Sequence, residues 1–161
     1  MGNTEIALPF AAVEAGAGDA RWWFGQHVLV KAGARETAGR YSLLEVLAPP
    51  HYAAPLHLHA NEDEAFWMLD GAASFEIGGR AVGAGVGDYL LAPRGTPHRW
   101  SAGPAGARVL FLFTPGGVEE YVAATSVPAL APTPPPADVL PPHDAAEIAR
   151  RFGTHLLDAA D

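Results

Sequence analysis

The chain has 161 residues, 49% of them hydrophobic and 17% charged, which fits one compact domain with its own core and excludes a long disordered chain. Eighteen acidic residues against ten basic ones leave a net charge of -8, a field that repels polyanions and argues against nucleic acid as a partner. The absence of cysteine excludes disulfides, thiolate metal sites and cysteine nucleophiles, fits a reducing compartment, and leaves histidine and carboxylate to carry chemistry. Residues 1–10, MGNTEIALPF, have neither a basic n-region nor a long apolar h-region. The longest aliphatic and aromatic run, Val109 to Phe113, is too short to cross a bilayer. A cytoplasmic protein without membrane association is expected.

Taken in chain order, residues 1–20 read as an N-terminal extension, and residues 21–127 as an all-β domain. Eighteen glycines and fifteen prolines interrupt the chain too often for long helices and separate short runs rich in Val, Leu, Phe, Trp and Tyr. The runs predict strands at Trp22 to Ala32, Arg40 to Leu47, Leu56 to His59, Glu64 to Leu69, Ala73 to Ile77, Tyr89 to Ala92, His98 to Ser101 and Arg108 to Phe113. Asp70-Gly71 is expected to turn between two of them, and Gly78-Gly79 to supply the positive φ of a tight hairpin. So many short strands with frequent turns suggest a sandwich or barrel. A short helix is expected over Val118 to Thr125, with Glu119 and Glu120 at its positive end. Residues 128–142 carry Pro128, Pro132, Pro134, Pro135, Pro136, Pro141 and Pro142 and read as an extended strap. In 143–161, Asp144 with Glu147 three residues on predicts a helix that presents Ile148, Phe152 and Leu156 on one face and docks on the barrel.

Four of the seven histidines, His27, His51, His143 and His155, are scattered, and an isolated histidine is most often without a ligand role. His57 and His59 lie two apart in a predicted strand, so their imidazoles project from one face with Leu58 on the other. Glu64 opens the next strand after a short turn and can return its carboxylate beside them. Pro93-Arg94-Gly95-Thr96-Pro97 forms a tight turn that delivers His98 to a further strand. Three imidazoles and one carboxylate suit one borderline divalent transition metal ion, Fe, Ni, Co, Mn or Zn, with positions open for water or substrate. Glu62 and Asp63 are alternative acidic ligands, placed less well: Glu62 lies in the turn and Asp63 on the opposite strand face. Arg94 reads as a solvated loop charge rather than a substrate clamp.

These residues fall into two motifs by which the chain resembles the cupins. The family's first motif, G-x5-H-x-H-x(3,4)-E-x6-G, matches His57, His59, Glu64 and Gly71; the second, G-x5-P-x-G-x2-H-x3-N, matches Gly87, Pro93, Gly95 and His98. His51 stands where the first motif opens on glycine, and Ala102 where the second closes on asparagine. The resemblance implies a single jelly-roll β-barrel with short C-terminal helices, a metal inside its mouth, and a homodimer. Trp22-Trp23-Phe24-Gly25, Gly39 to Glu45, Glu62 to Phe66, Phe113 to Gly117 and Ala145 to Leu157 further resemble the single-domain bacterial cupins described as quercetin 2,3-dioxygenase-like.

If Glu64 faces inward, strand alternation puts Phe66 and Met68 on its side and Ala65, Trp67 and Leu69 on the other, and Trp100 shares the face of His98. Phe111 and Phe113, or else Leu110 and Leu112, add to the wall, and Tyr52 can reach the mouth as a hydroxyl donor. Such a wall fits a flat organic substrate, although ordinary core packing is the commoner role for any one of these residues. Trp22 and Trp23 are adjacent and face opposite ways in a strand, which leaves one of them for a subunit contact. The resemblance implies a metal-dependent oxygenase that takes a small aromatic or enolisable hydroxy-carbonyl compound and dioxygen, with Glu64 as its base. Its rivals are a redox-neutral cyclase, isomerase or dehydratase that uses the same residues, and a non-enzymatic small-molecule-binding module.

Overall fold

In β3 (Ser42–Ala48) every second residue is buried, the period of a strand with one face on a core. The same alternation runs through the last part of β8 (His98–Thr114), whereas at the start of β5 (Asp63–Ile77) Glu64, Ala65 and Phe66 are buried in succession. The computed structural model describes residues 11–157; the first half of the expected N-terminal extension and the last four residues of the chain lie outside them. Before β3 come β1 (Asp19–Trp23), β2 (Gln26–Ala32) and the single turn α1 (Ala34–Thr37). The other strands are β4 (His57–His59), β6 (Arg80–Gly85), β7 (Tyr89–Ala92), β9 (Val127–Pro128) and β10 (Thr154–Leu156), with helices α2 (Val118–Thr125) and α3 (Ala145–Arg151).

All strand pairings are antiparallel, and β5 and β8 are long enough to serve two layers. The first half of β5 and the second half of β8 belong to a layer ordered β9-β1-β2-β3-β8-β5-β7. Their other halves belong to a layer ordered β10-β4-β8-β5-β6. This is a jelly-roll domain of all-β class, although the hydrogen-bonded path among the described residues does not close into a ring. Phe66, Met68, Phe75, Trp100, Val109 and Phe111 fill the space between the layers.

The bend that lets two strands serve two layers replaces the expected hairpin at Asp70-Gly71. Glu64 to Leu69 and Ala73 to Ile77 form one strand, as do His98 to Ser101 and Arg108 to Phe113. Register shifts flank Gly71, which has φ 73°, and a Cβ there would run into the Gly106 carbonyl oxygen. Gly106 has φ 82°, and its Cβ would lie 2.7 Å from the Ala48 oxygen. Two glycines at close backbone approach thus bend both strands together without breaking their pairing.

The expected strand Trp22 to Ala32 is in fact a hairpin, because Phe24 (φ 47°) and Gly25 (φ 81°) turn the chain and pair Trp23 with Gln26. Gly78 and Gly79, at φ 57° and 75°, join β5 to β6 as a tight hairpin of primed type. Strand β6 carries Gly83 and Gly85 and is exposed over most of its length, so neither propensity nor alternation marks it in the sequence.

Neither indole is left for a subunit contact. Trp22 donates to the Thr133 carbonyl under the proline-rich segment, and Trp23 donates to the Thr125 hydroxyl; both are buried within the chain. Residues 129–144 contain neither helix nor strand. Helix α3 is shorter than its sequence pattern suggests, since Gly153 at φ 80° ends it. Leu156 therefore lies on β10 rather than on a helix face with Ile148 and Phe152, which pack on the core.

Candidate metal centre

The three histidines and the glutamate come from three strands that the pairing pattern fixes side by side. His57 pairs with His98 across β4 and β8, Ile77 also faces His98, and Glu64 at the other end of β5 faces Phe113 of β8. One ligand atom from each of His57, His59, Glu64 and His98 lies within 4.8 Å of the others. His59, Glu64 and His98 are buried, and His57 is half-buried. Such burial holds the donors in place and keeps solvent from them.

Each imidazole is oriented through its Nδ1. His57 donates to the Pro55 carbonyl at 2.9 Å and His98 to the Thr96 carbonyl at 2.9 Å, while His59 Nδ1 lies 3.1 Å from the Thr154 hydroxyl. With Nδ1 occupied on all three rings, the Nε2 atoms are the ones left to converge, the usual outer-shell arrangement of a histidine metal site. Glu64 Oε2 occupies the convergence point, 2.8 Å from His98 Nε2 and 3.1 Å from His59 Nε2.

This arrangement fixes protonation. His98 faces a carbonyl oxygen on one nitrogen and a carboxylate on the other, so both nitrogens must carry protons. Burial pulls its pKa down, yet the hydrogen bond and charge of Glu64 hold it above the ordinary value. For Glu64, burial pushes the pKa up, but the His59 and His98 hydrogen bonds prevail and hold it below the usual carboxylate range. His57 stays neutral because burial and then the His98 charge lower its pKa to about 4. The donor set fits a divalent cation: three imidazole nitrogens and a carboxylate point their lone pairs at one place, and a metal ion would replace the protons that now bridge them.

Three of the four, His57, His59 and Glu64, line a cavity of about 330 Å³. Phe66, Trp100, Phe111 and Phe113 wall it, their rings in contact at centroid distances of 5.0 Å for Phe66–Phe111 and 5.7 Å for Trp100–Phe111. Phe113 also meets the His59 ring edge-on at 5.5 Å. The two phenylalanines rather than Leu110 and Leu112 are the buried pair. Tyr52 lines the cavity, its ring 5.4 Å from Trp100. Met68 does not reach the cavity: it shares the inward face of Glu64 and Phe66 but pairs with Val109, deeper in the fully buried core. Of the other acids, Glu62 is buried with Oε2 3.9 Å from His59 Nδ1, beyond hydrogen-bond range. Asp63 pairs with Arg94 at 3.1 Å on the surface, so Arg94 is a partnered loop charge and clamps no substrate.

The rest of the lining has no counterpart in the sequence reading. Trp23, Phe24 and Gln26 reach the cavity from the first hairpin, Tyr121 from α2, and Pro141, Ala145, Ala146, Thr154 and Leu156 from the C-terminal segment. Strand β10 pairs with β4 in the register Thr154 to His59 and Leu156 to His57. Ala60 donates to the Gly153 carbonyl, and Asn61 to that of Phe152. The C-terminal segment thus both closes the cavity and braces the ligand strand. Thr154-His155-Leu156 shows no alternation of polar and apolar residues, and three residues are too few to reveal a strand or its partner.

Residues 43–113 match the family described as Cupin domain. Among related proteins, quercetin 2,3-dioxygenase of Bacillus subtilis (strain 168) is 32% identical over 81 residues, half of this chain and 24% of that protein. The chain therefore spans about a quarter of the length of the curated relative it matches. A predicted oxalate decarboxylase from Thermotoga maritima is similar in structure with a TM-score of 0.60 at 18% identity, covering 65% of this chain and 98% of that one. The polyketide cyclase RemF from Streptomyces resistomycificus follows at 0.57 and 21% identity, covering 66% and 80%. At these identities the structures share the fold. Among the described residues no helix is long and apolar enough to cross a membrane.

Proposed function

We propose that this chain is a mononuclear metal-dependent oxygenase that acts on a small aromatic or enolisable hydroxy-carbonyl compound. The observation that carries the reading is an aromatic wall beside a three-histidine, one-glutamate cluster, of which His57, His59 and Glu64 line the same cavity. His57, His59, Glu64 and His98 would hold the ion, which when bound supplies Lewis-acid polarisation of a substrate oxygen. Phe66, Trp100, Phe111 and Phe113 hold the flat body of the substrate and exclude water from it. Glu64 takes the proton of the substrate hydroxyl. Burial raises its proton affinity, and the imidazole hydrogen bonds lower it, so release of either bond moves the carboxylate towards the range of a working base. The electron-rich enolate left by that proton transfer reacts with dioxygen. A homodimer goes with this reading, and light scattering of the purified protein tests it.

The functional test is elemental analysis of the purified protein followed by oxygen-electrode assays with each candidate ion on a panel of flavonols and enols. Dioxygen uptake that disappears in Glu64→Gln supports the oxygenase and its base. His57→Ala is expected to strip the metal and abolish turnover while leaving the circular dichroism spectrum intact, because His57 is the half-buried member at the rim. Bound metal with no uptake on any compound would overturn the oxygenase reading in favour of redox-neutral chemistry, and a folded protein that takes up no metal would favour a binding module.

A further inference from the structure

The wall that the C-terminal segment gives the cavity is attached differently from the rest. Trp22 Nε1 donates to the Thr133 carbonyl at 2.8 Å, and from Phe152 onward the chain is tied to β4 and to the turn after it by the Asn61, Ala60 and β10 bonds. Between these ties, among the described residues, residues 134–151 make no hydrogen bond to the barrel. Burial does not hold most of this stretch either: no residue from 134 to 148 is buried, although Pro141, Ala145 and Ala146 line the cavity. Burial resumes at Ala149, which is 1% exposed and packs on the core beside Ile148 and Phe152. Beneath the strap lies a second cavity of about 180 Å³, with Trp22, Phe24 and Thr125 on one side and Val139, Leu140 and Pro141 on the other. A permanently closed seam is packed with few voids larger than a water molecule, and this one is not.

The strap nevertheless keeps its own shape. Five prolines in 134–142 fix φ at their positions and stiffen the chain. Val139 donates its N–H to the Pro136 carbonyl, and Ala145 to that of Pro142, which closes two turns inside the segment. A stiff segment that is tied at both ends, bonded within itself and unbonded to the body beneath it moves as a unit, and little further order is lost when it docks. An apolar ligand in the cavity supplies what the seam lacks, a surface for Pro141, Ala145 and Ala146 to pack on. That contact exists only while the strap is down, so binding favours the closed position. We propose that residues 134–148 form a gate over the cavity, pivoting at Thr133 and Ala149, that opens to admit a ligand and closes on it. The gate concerns access alone and holds for any apolar occupant, whatever reaction takes place there.

The test is a distance measurement between two spin labels, which the absence of native cysteine makes clean. One label goes on the strap in Asp138→Cys and the other on the body in Val86→Cys; a control pair joins Val86→Cys to Ala123→Cys on α2. All three positions are exposed. The occupant is N-phenyl-1-naphthylamine, a neutral apolar probe, and NMR contacts to the rings of Phe66 and Phe111 establish that it sits in the cavity. Without the probe the strap pair should give a distance distribution at least about twice as wide as the control pair, as a segment that samples open and closed positions requires. With the probe at about ten times its Kd, where roughly nine-tenths of the protein is bound, the strap distribution should narrow to the width of the control, which itself stays unchanged. A strap pair as narrow as the control from the outset shows a fixed wall and overturns the gate. So does a distribution that stays wide with the probe bound, because closure then does not follow binding. Failure of the probe to enter the cavity overturns it as well, since there is then no apolar occupant to admit.

Discussion

The bond between Thr154 and His59 ties the C-terminal strand to the metal centre, and Thr154→Val isolates it. Valine keeps nearly the volume of threonine, so the change removes a hydroxyl and little packing. In the wild type His59 Nδ1 lies 3.1 Å from that hydroxyl, and both residues are buried. Loss of the partner strands a ring nitrogen away from water, at a cost of about 1–3 kcal/mol. Glu62 Oε2, at 3.9 Å, is the nearest substitute and would have to shift by close to an ångström to accept. If the bond holds the imidazole in its ligating orientation, metal affinity should fall by roughly 10- to 100-fold, the usual effect of removing an outer-shell partner. Competition against a chromophoric chelator measures this directly. Glu62→Gln, which removes no existing hydrogen bond, is the control and should change affinity by less than about threefold, the range of a weak through-space charge effect. Thr154→Val with affinity within twofold of wild type would refute the positioning role and reduce β10 to a packing element.

Two further predictions follow from backbone geometry and from charge. His51 has φ 59°, where a non-glycine residue is strained by about 1 kcal/mol or more, whereas glycine carries an entropic cost of about 0.5–1 kcal/mol. His51→Gly should therefore be neutral to stabilising by about 0.5 kcal/mol, and His51→Val destabilising by more than about 1 kcal/mol, in urea denaturation; equal destabilisation by both would refute the strain argument. In metal-free protein, imidazole NMR should show His57 still neutral at about pH 5.5, where an unperturbed histidine is mostly charged, because its folded pKa is lowered to about 4. The His57 contribution to stability is accordingly present above its unfolded pKa and lost as pH falls from about 6.5 towards 4. His98, with a raised pKa, contributes in the opposite sense, fully below the unfolded value and lost as pH rises through the folded one. A His57 resonance that titrates at its ordinary value would show that burial does not control the cluster.

Local chemistry decided which parts of this fold were legible in the sequence. Gly78-Gly79 announces its hairpin because two adjacent residues with positive φ are what a primed turn requires. Asp70-Gly71 offers the same dipeptide signal and yields a bend instead, since Gly71 is needed where its backbone touches Gly106 on a strand far away in sequence. Phe24-Gly25 makes a turn that no local rule favours, with an aromatic residue at φ 47°. Its neighbours explain this: Phe24 packs against Trp23 and Tyr121, so tertiary contact offsets the local strain. Strand β6, exposed and glycine-bearing, is held by pairing to β5 rather than by any burial pattern of its own.

The candidate site divides along the same line. Strand period and turn spacing, which are short-range facts, placed His57, His59 and Glu64 together; His98, 34 residues beyond Glu64, joined them through the cupin-like motifs, and alternation along β5 and β8 gave the aromatic wall except for the choice between Phe111 with Phe113 and Leu110 with Leu112. Alternation gives only a face and not a depth, which is why Met68 lies in the core below the cavity while Phe66, two residues earlier, lines it. Gln26 and Thr154 are beyond such reasoning: one lies on a strand hidden by an unexpected hairpin, the other on a three-residue strand that exists only by pairing with β4. Both residues are polar and buried where an apolar side chain would pack as well: Thr154 bonds His59, and Gln26 bonds Tyr52. Strands β4, β5 and β8 carry the candidate ligand residues, while the first hairpin and the C-terminal segment carry the buried polar residues Gln26 and Thr154 beside them.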